Sequence, residues 1–257
     1  MERPGRLENK VCIVTGASSG IGEATARRFA EEGAILSICA RRVDRLEALA
    51  AELKEKYGTE VLVLKCDVQN YDEVKNVVDK TAETFGRIDV LINNAGVVDL
   101  HIPITRTTNE FWDYIIKVDQ TSVFWFTREA LRYMEPVGYG SIVNVSSEAG
   151  FYGSCGYPYS TAKMALIAMT KNVALQFNET NIRCNCICPG TTPTELNTPD
   201  KLATFHRDFA DHCFKCKNED CPPCDPVDQA NAMLYFASDE AKSTTGQVLV
   251  IDHGEKL

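Results

Sequence analysis

The chain has 257 residues, 44% of them hydrophobic, which is enough for one large α/β core. Its net charge of −9 argues against a nucleic-acid surface, which would be basic, and against attraction to anionic lipid. The polar N-terminal segment leads directly into the first predicted strand, and no apolar run is long enough to span a bilayer, so we expect a cytoplasmic protein without signal peptide or membrane contact, whose partner is a small molecule.

Short apolar strands alternate with amphipathic helices along the chain. This alternation predicts parallel strands covered by helices on both faces, and therefore an α/β, Rossmann-like, doubly wound sheet of about seven strands. We expect residues 1–257 to form a single domain, with an irregular segment at 191–226, called the lid below, that shapes substrate specificity. The predicted strands cover 11–14, 34–40, 61–64, 89–92, 141–145, 183–187 and 247–251, and the predicted helices cover 43–57, 71–85, 109–134, 157–177 and 227–237, besides one that follows the first strand.

Three glycines, Gly16, Gly20 and Gly22, lie between the first strand and its helix. Gly16 can take a positive φ in a tight turn, Gly20 allows a ligand to approach the backbone, and Gly22 allows the helix to pack on the strand. The helix start presents N–H groups and a partial positive charge, which suit a phosphate. The loop therefore predicts a dinucleotide pyrophosphate site. Taken by itself, the loop could also be a turn that binds no ligand.

The segment TGASSGIG at 15–22 resembles the cofactor loop of the short-chain dehydrogenase/reductase family. Asn93–Gly96, the region of Ser147, Tyr159–Lys163 and Pro189–Gly190 match the same family in order, so the resemblance covers nearly the whole chain. It implies a bound NAD(P) and hydride transfer between that cofactor and a secondary alcohol or ketone. It also implies a homo-oligomer, a tetramer or a dimer, that assembles through the two long helices.

The residues after the second predicted strand favour NADP over NAD. A carboxylate there would repel a 2′-phosphate, whereas the arginines Arg41 and Arg42 can pair with it. The alternative is that both arginines are solvated residues at the start of a helix. The cofactor-binding residues that the resemblance implies are Gly16, Ser18, Ser19, Gly20, Ile21, Arg41, Arg42, Asp67, Val68, Asn94, Ala95, Gly96, Tyr159, Lys163, Pro189, Gly190, Thr192 and Thr194.

Tyr159 and Lys163 lie four residues apart in a predicted helix and therefore project from one face. A phenol ordinarily titrates at about 10, and a nearby ammonium together with the positive nicotinamide ring is expected to favour the phenolate. The resemblance implies that Tyr159 protonates the carbonyl oxygen during reduction and that Lys163 lowers the pKa of this tyrosine and holds the nicotinamide ribose. It also implies that Ser147 binds the substrate oxygen, with Ser146 as the alternative.

The sequence departs from the family pattern at position 119. The family usually has Asn at this point of the long helix, where it is thought to hold a water of the proton relay, and this chain has Asp119. We include Asp119 in the catalytic set, and we expect a buried carboxylate beside Lys163 to change the local balance of pKa values.

Eleven cysteines are present. Seven lie in or near predicted strands and are expected to be free thiols in a reducing compartment. The other four, Cys213, Cys216, Cys221 and Cys224, form two Cys-x-x-Cys pairs whose spacing suits a tetrahedral zinc site. We expect free thiols and assign no metal ligands, with zinc or disulfides as the alternatives. The first seven are Cys12, Cys39, Cys66, Cys155, Cys184, Cys186 and Cys188.

Bulky apolar residues in the lid favour a hydrophobic substrate with a ring system, as in hydroxysteroid or bile-acid dehydrogenases. A 3-oxoacyl reductase is the alternative within the family, and a non-catalytic redox or metal sensor is the alternative outside it. The retention of Tyr159, Lys163 and a serine disfavours the sensor, because a pure binder needs no proton donor. The apolar lid residues are Leu196, Leu202, Phe205, Phe209 and Phe214.

Overall fold

The computed structural model describes residues 5–196, 198–218 and 220–257. Seven strands form one sheet in the order β3-β2-β1-β4-β5-β6-β7, and each neighbouring pair is parallel. The predicted Rossmann-like, doubly wound fold is confirmed. The strands are β1 Val11–Thr15, β2 Ile35–Ala40, β3 Val61–Lys65, β4 Val90–Asn93, β5 Tyr139–Val145, β6 Asn181–Pro189 and β7 Val248–Ile251.

The helices that connect the strands follow the sequence prediction closely, with three differences. A short helix at Glu148–Tyr152 was not predicted. The stretch predicted as one helix from 109 to 134 contains a π-helical turn at Lys117–Thr121, and the lid contains short helices where an irregular segment was expected. The helices are α1 Gly20–Glu31, α2 Val43–Tyr57, α3 Tyr71–Phe85, α4 Asn109–Ile116, α5 Ser122–Met134, α6 Glu148–Tyr152, α7 Tyr157–Gln176, α8 Pro199–Leu202, α9 Arg207–Phe214 and α10 Pro226–Ala237.

Two hydrophobic cores lie on opposite faces of the sheet, because successive strand residues point to opposite sides. In β1, Val14 belongs to a core that includes Phe29 of α1 and Met233 of α10. Its neighbour Ile13 belongs to the other core, with residues of α3 and α5 such as Phe126. In the described part of the chain, no helix has the length and apolarity that crossing a membrane requires.

The strand order reverses between β1 and β4. The chain crosses from β1 outward to β2 and β3, and then returns to place β4 on the other side of β1. In an open α/β sheet of this kind, the crevice at the carboxyl ends of these two strands is where ligands bind. The loop at Gly16 follows β1 and Asn94 follows β4, so the fold brings both motifs to this crevice.

Candidate active site

The glycine loop is packed against the residues that follow β4. Gly16 has φ +68° and Gly20 has φ +58°, conformations that favour glycine. A Cβ at Gly16 would lie 2.8 Å from the Cα of Ala95, which is too close for any side chain. The side-chain amide of Asn94 donates to the carbonyl of Thr15 over 2.8 Å and fixes the two segments together.

Arg42 lies at the edge of this loop. Its guanidinium donates to Ser18 Oγ over 2.9 Å, to Ser19 Oγ over 2.8 Å and to Glu195 Oε2 over 2.5 Å. Arg45 also pairs with Glu195. The two arginines, Arg45 first and Arg42 second, lower the pKa of Glu195 to about 2. Sequence reasoning missed Glu195, because its partners lie far away along the chain.

A cavity of about 610 Å³ extends from the glycine loop to the lid. All eighteen residues predicted to bind the cofactor line it, as does Ser147. Asp119 lies behind the cavity wall, in the π-helical turn. Four of the five apolar lid residues also line the cavity, namely Leu196, Leu202, Phe205 and Phe214.

Lys163 is almost completely buried, at 4% exposure. Its Nζ donates to the carbonyl of Val145 over 3.2 Å and lies 5.5 Å from the ring centroid of Tyr159. Tyr159 is the third residue of α7, so both side chains project from the first turns of that helix toward the end of β5. The structure thus brings together the pair that the four-residue spacing predicted.

The two serines after β5 have different surroundings. Ser146 is buried, and its hydroxyl donates to the carbonyl of Lys163 over 2.6 Å. The hydroxyl of Ser147 accepts from the N–H of Ala149 over 3.1 Å and also forms a hydrogen bond with Tyr159 that lowers the pKa of the phenol. Ser146 therefore has a structural contact, whereas Ser147 adjoins the candidate proton donor.

Asp119 is fully buried. Its Oδ1 accepts from the N–H of Val97 over 2.9 Å and lies 3.7 Å from the Nζ of Lys163. Oδ2 has no hydrogen-bond partner among the described residues. Burial raises the pKa of this carboxyl to about 6, although Lys163 and the N–H of Val97 oppose the increase.

The protein groups around Tyr159 act against the expected acidic phenol. Burial raises the pKa of Tyr159 well above its ordinary value, and the nearby Asp119 and Cys155 raise it further. The hydrogen bond from Ser147 has the opposite effect but is smaller. Burial is the largest of these causes, so in the protein alone the predicted acidifying effect of Lys163 does not bring the pKa of this phenol below its ordinary value.

A buried ion-pair cluster fastens the lid to the body of the protein. The Nζ of Lys217 lies 2.7 Å from Glu148 Oε1, 2.8 Å from Glu255 Oε1 and 2.9 Å from Thr191 Oγ1. Glu255 also accepts from the N–H of Thr191 over 2.9 Å. This cluster was not predicted, because single charged residues scattered over a hundred positions give no local sequence signal.

The four lid cysteines do not form the tetrahedral site that their spacing suggested. Cys213 and Cys224 are buried, Cys216 is exposed and Cys221 is partly exposed. Within the described ranges, no three of these thiols come within 4.8 Å of one another. Cys221 and Cys224 donate to the carbonyls of His253 and Ile251, and all eleven cysteines are free thiols.

Comparison with known proteins decides the family. Residues 10–203 match the family model described as short chain dehydrogenase. The chain belongs to the short-chain dehydrogenase family. The resemblance seen in the glycine loop and the Tyr159–Lys163 motif is therefore confirmed, and so is the prediction of an oxidoreductase that acts on alcohols and ketones.

Two relatives and one solved structure illustrate how similar this short-chain dehydrogenase is to others. It is 36% identical to 3beta-hydroxysteroid dehydrogenase 2 of Eggerthella lenta, with 96% of this chain and 95% of the relative covered. It is 39% identical to 3-oxoacyl-acyl-carrier-protein reductase FabG of Thermotoga maritima, with 97% and 98% covered. The crystal structure of a variant of actinorhodin polyketide ketoreductase with NADPH superposes with a TM-score of 0.85 at 29% identity, covering 96% of this chain and 97% of that one.

Proposed function

We propose that this short-chain dehydrogenase uses NADP(H) to interconvert a hydroxyl and a ketone on a hydrophobic ring system of the hydroxysteroid type. One observation carries the proposal. A single cavity is lined by Arg42, by Tyr159 and Ser147, and by apolar residues of the lid. A dinucleotide and an apolar substrate can therefore meet beside the phenol.

The residues of the cavity fit a nicotinamide dinucleotide. Gly96 lines the cavity, and only glycine fits there because a Cβ would lie 2.7 Å from Asp119 Oδ1. The start of α1 at Gly20 suits the pyrophosphate. Arg42, with the hydroxyls of Ser18 and Ser19 at its guanidinium, forms a polar group suited to a 2′-phosphate. The bound cofactor would supply or accept the hydride.

The side chains around the substrate position can donate a proton to the substrate oxygen and hold that oxygen in place. The raised pKa of Tyr159 keeps the phenol protonated at neutral pH, the form that donates a proton to a carbonyl oxygen during reduction. Ser147 can hold the same oxygen by a hydrogen bond, because its hydroxyl adjoins the phenol. Lys163 and Asp119 form a buried ion pair behind Tyr159, where Asp119 can take up a proton near neutral pH.

The apolar wall of the cavity and the hydroxysteroid dehydrogenase relative support a steroid-like substrate. The 39% identical reductase relative favours a 3-oxoacyl thioester as the second candidate. We would measure turnover with NADPH and with NADH on 3-keto and 7-keto steroids and on a 3-oxoacyl thioester. We expect ketosteroid reduction with NADPH preferred. Turnover of the thioester alone selects the second candidate, and cofactor binding without any turnover selects the sensor.

A further inference from the structure

Asp99, His101 and Cys155 form a buried trio beside the active-site cavity. Each can offer one metal-ligating atom, and these three atoms all lie within 4.8 Å of one another. The residues are buried, with exposures of 0%, 4% and 7%. We propose that this trio binds a divalent transition-metal ion of the zinc type. The proposal does not depend on the substrate or on the reaction assigned above.

The distances are close to those of a tetrahedral site. Asp99 Oδ1 lies 3.6 Å from Cys155 Sγ and 4.0 Å from His101 Nδ1. With zinc bonds of about 2.3 Å to sulfur and about 2.0 Å to nitrogen or oxygen, tetrahedral ligand atoms lie about 3.3–3.5 Å apart. The Asp99–Cys155 pair is already close to this separation. The imidazole of His101 would have to move closer, since its ligand atom lies within 4.8 Å of the other two.

The imidazole of His101 provides the second, independent observation. Its Nδ1 is buried and has no hydrogen-bond partner among the described residues, although it lies next to the Asp99 carboxylate. Buried polar atoms are normally paired, so an unpaired ring nitrogen aimed at two further donors needs a partner. The ring is held in position by Phe205 and Phe214, whose centroids lie 4.5 and 5.7 Å from its own.

The donor set also has the right chemistry and charge. An imidazole nitrogen, a thiolate and a carboxylate are all zinc ligands, and two negative charges balance a divalent ion. On binding, the Cys155 thiol would lose its proton to solvent and become the thiolate. His101 and Cys155 line the cavity, so a three-ligand site leaves its fourth position facing the space beside Tyr159.

The trio is joined directly to the catalytic helix. Asp99 Oδ2 accepts from the N–H of Tyr159 over 3.2 Å, near the start of α7. Gly156 makes room for this contact, since a Cβ there would lie 2.1 Å from the same oxygen. A bound ion would therefore change the surroundings of Tyr159. If the trio serves only to stabilise the start of α7, it needs no metal, and the experiment must separate these two roles.

The test uses Co²⁺ as a spectroscopic probe on the full-length, chelator-treated protein. Cys216 and Cys221, the two more exposed thiols, are first replaced by Ser to remove competing ligands. We expect one equivalent of Co²⁺ per chain, a thiolate-to-cobalt charge-transfer absorption, and displacement by Zn²⁺. Cys155→Ser should abolish that absorption, and His101→Gln, which removes a direct ligand, should weaken Co²⁺ binding by more than the roughly tenfold to hundredfold of an outer-shell change.

A matched control is Cys12→Ser, which changes a second buried thiol that lies outside the trio. The Cys12 thiol donates to a backbone carbonyl and not to a carboxylate. It should leave the cobalt spectrum unchanged. Far-UV circular dichroism and thermal unfolding report whether each variant is folded. No charge-transfer absorption in the parent, or an equal absorption in a folded Cys155→Ser variant, would overturn the proposal. Neither result depends on turnover, so failure of the metal site remains distinct from failure of the proposed function.

Discussion

Replacing Asp119 by Asn tests the electrostatic description of the site. Asn can keep the contact with the N–H of Val97 through its carbonyl oxygen, but it removes the buried charge. The pKa of this carboxyl is about 6 in the folded protein, against about 3.9 in an unfolded chain. A raised pKa means that the folded state binds more protons. Asp119 therefore makes the folded state progressively less stable as the pH rises from about 4 to about 6.

The size of this loss of stability follows from the shift in the pKa of Asp119. About two pH units at 1.36 kcal/mol each give a penalty of about 3 kcal/mol, reached in full above pH 6. For a chain of this length, that free energy corresponds to a change in melting temperature of about 6 °C. We expect the free energies of unfolding of Asp119→Asn and the parent to differ by a small amount at pH 4.5. By pH 8 the variant should gain up to about 3 kcal/mol in stability relative to the parent.

Thermal unfolding from pH 4.5 to 8.5 measures the difference. Asp113→Asn is the matched control, because it makes the same replacement at an exposed position of the same helical stretch. A stability difference between Asp119→Asn and the parent that stays constant over this range would refute the reasoning. So would a variant that loses stability relative to the parent between pH 4.5 and pH 8.

Four further outcomes are expected. Because Asp119 raises the pKa of Tyr159, Asp119→Asn should move the alkaline limb of the pH–rate profile for reduction to lower pH. Tyr159→Phe should lower kcat by about 10²-fold to 10⁴-fold with NADPH affinity retained, and an unchanged kcat would contradict its role as proton donor. Arg42→Ala should raise the KM for NADPH by about tenfold to a hundredfold and leave that for NADH unchanged. Lys217→Met leaves Glu148 and Glu255 without their shared cation and should lower stability by about 1–3 kcal/mol and raise the substrate KM, while Lys215→Met serves as its control.

The sequence was sufficient for the sheet, because local patterns specify it. Alternating apolar strands and amphipathic helices reflect burial on both faces, and glycines such as Gly16 mark a backbone conformation that other residues avoid. The spacing of Tyr159 and Lys163 is likewise a local property of one helix. Each of these features could be read from a few consecutive residues.

Contacts between distant segments could not be predicted in the same way. The π-helical turn contains Asp119, whose partner Val97 lies 22 residues away, and nothing in the local helical pattern indicates that contact. Cys155 reaches Asp99 across 56 residues. The lid cysteines show the converse case, because a regular local spacing suits a zinc site, the alternative to free thiols, that the fold does not assemble.

The short lid helices were missed for a related reason. Helices of four and eight residues are too short to be stable by themselves. They depend on tertiary contacts, such as the pair between Arg106 and Asp208 and the hydrogen bond from the N–H of His206 to the carbonyl of Leu100. A window of sequence does not contain those partners.

Glu195 lies where it would affect the affinity for the cofactor. It belongs to the first turn of the lid, yet its carboxylate rests on the arginine that the proposed 2′-phosphate would need. Two anions would then compete for one guanidinium, while Arg45 could still pair with Glu195 and Lys217 would still fasten the lid. The affinity for NADPH would then include the cost of displacing Glu195 from Arg42, a cost that NADH would not meet because it has no 2′-phosphate.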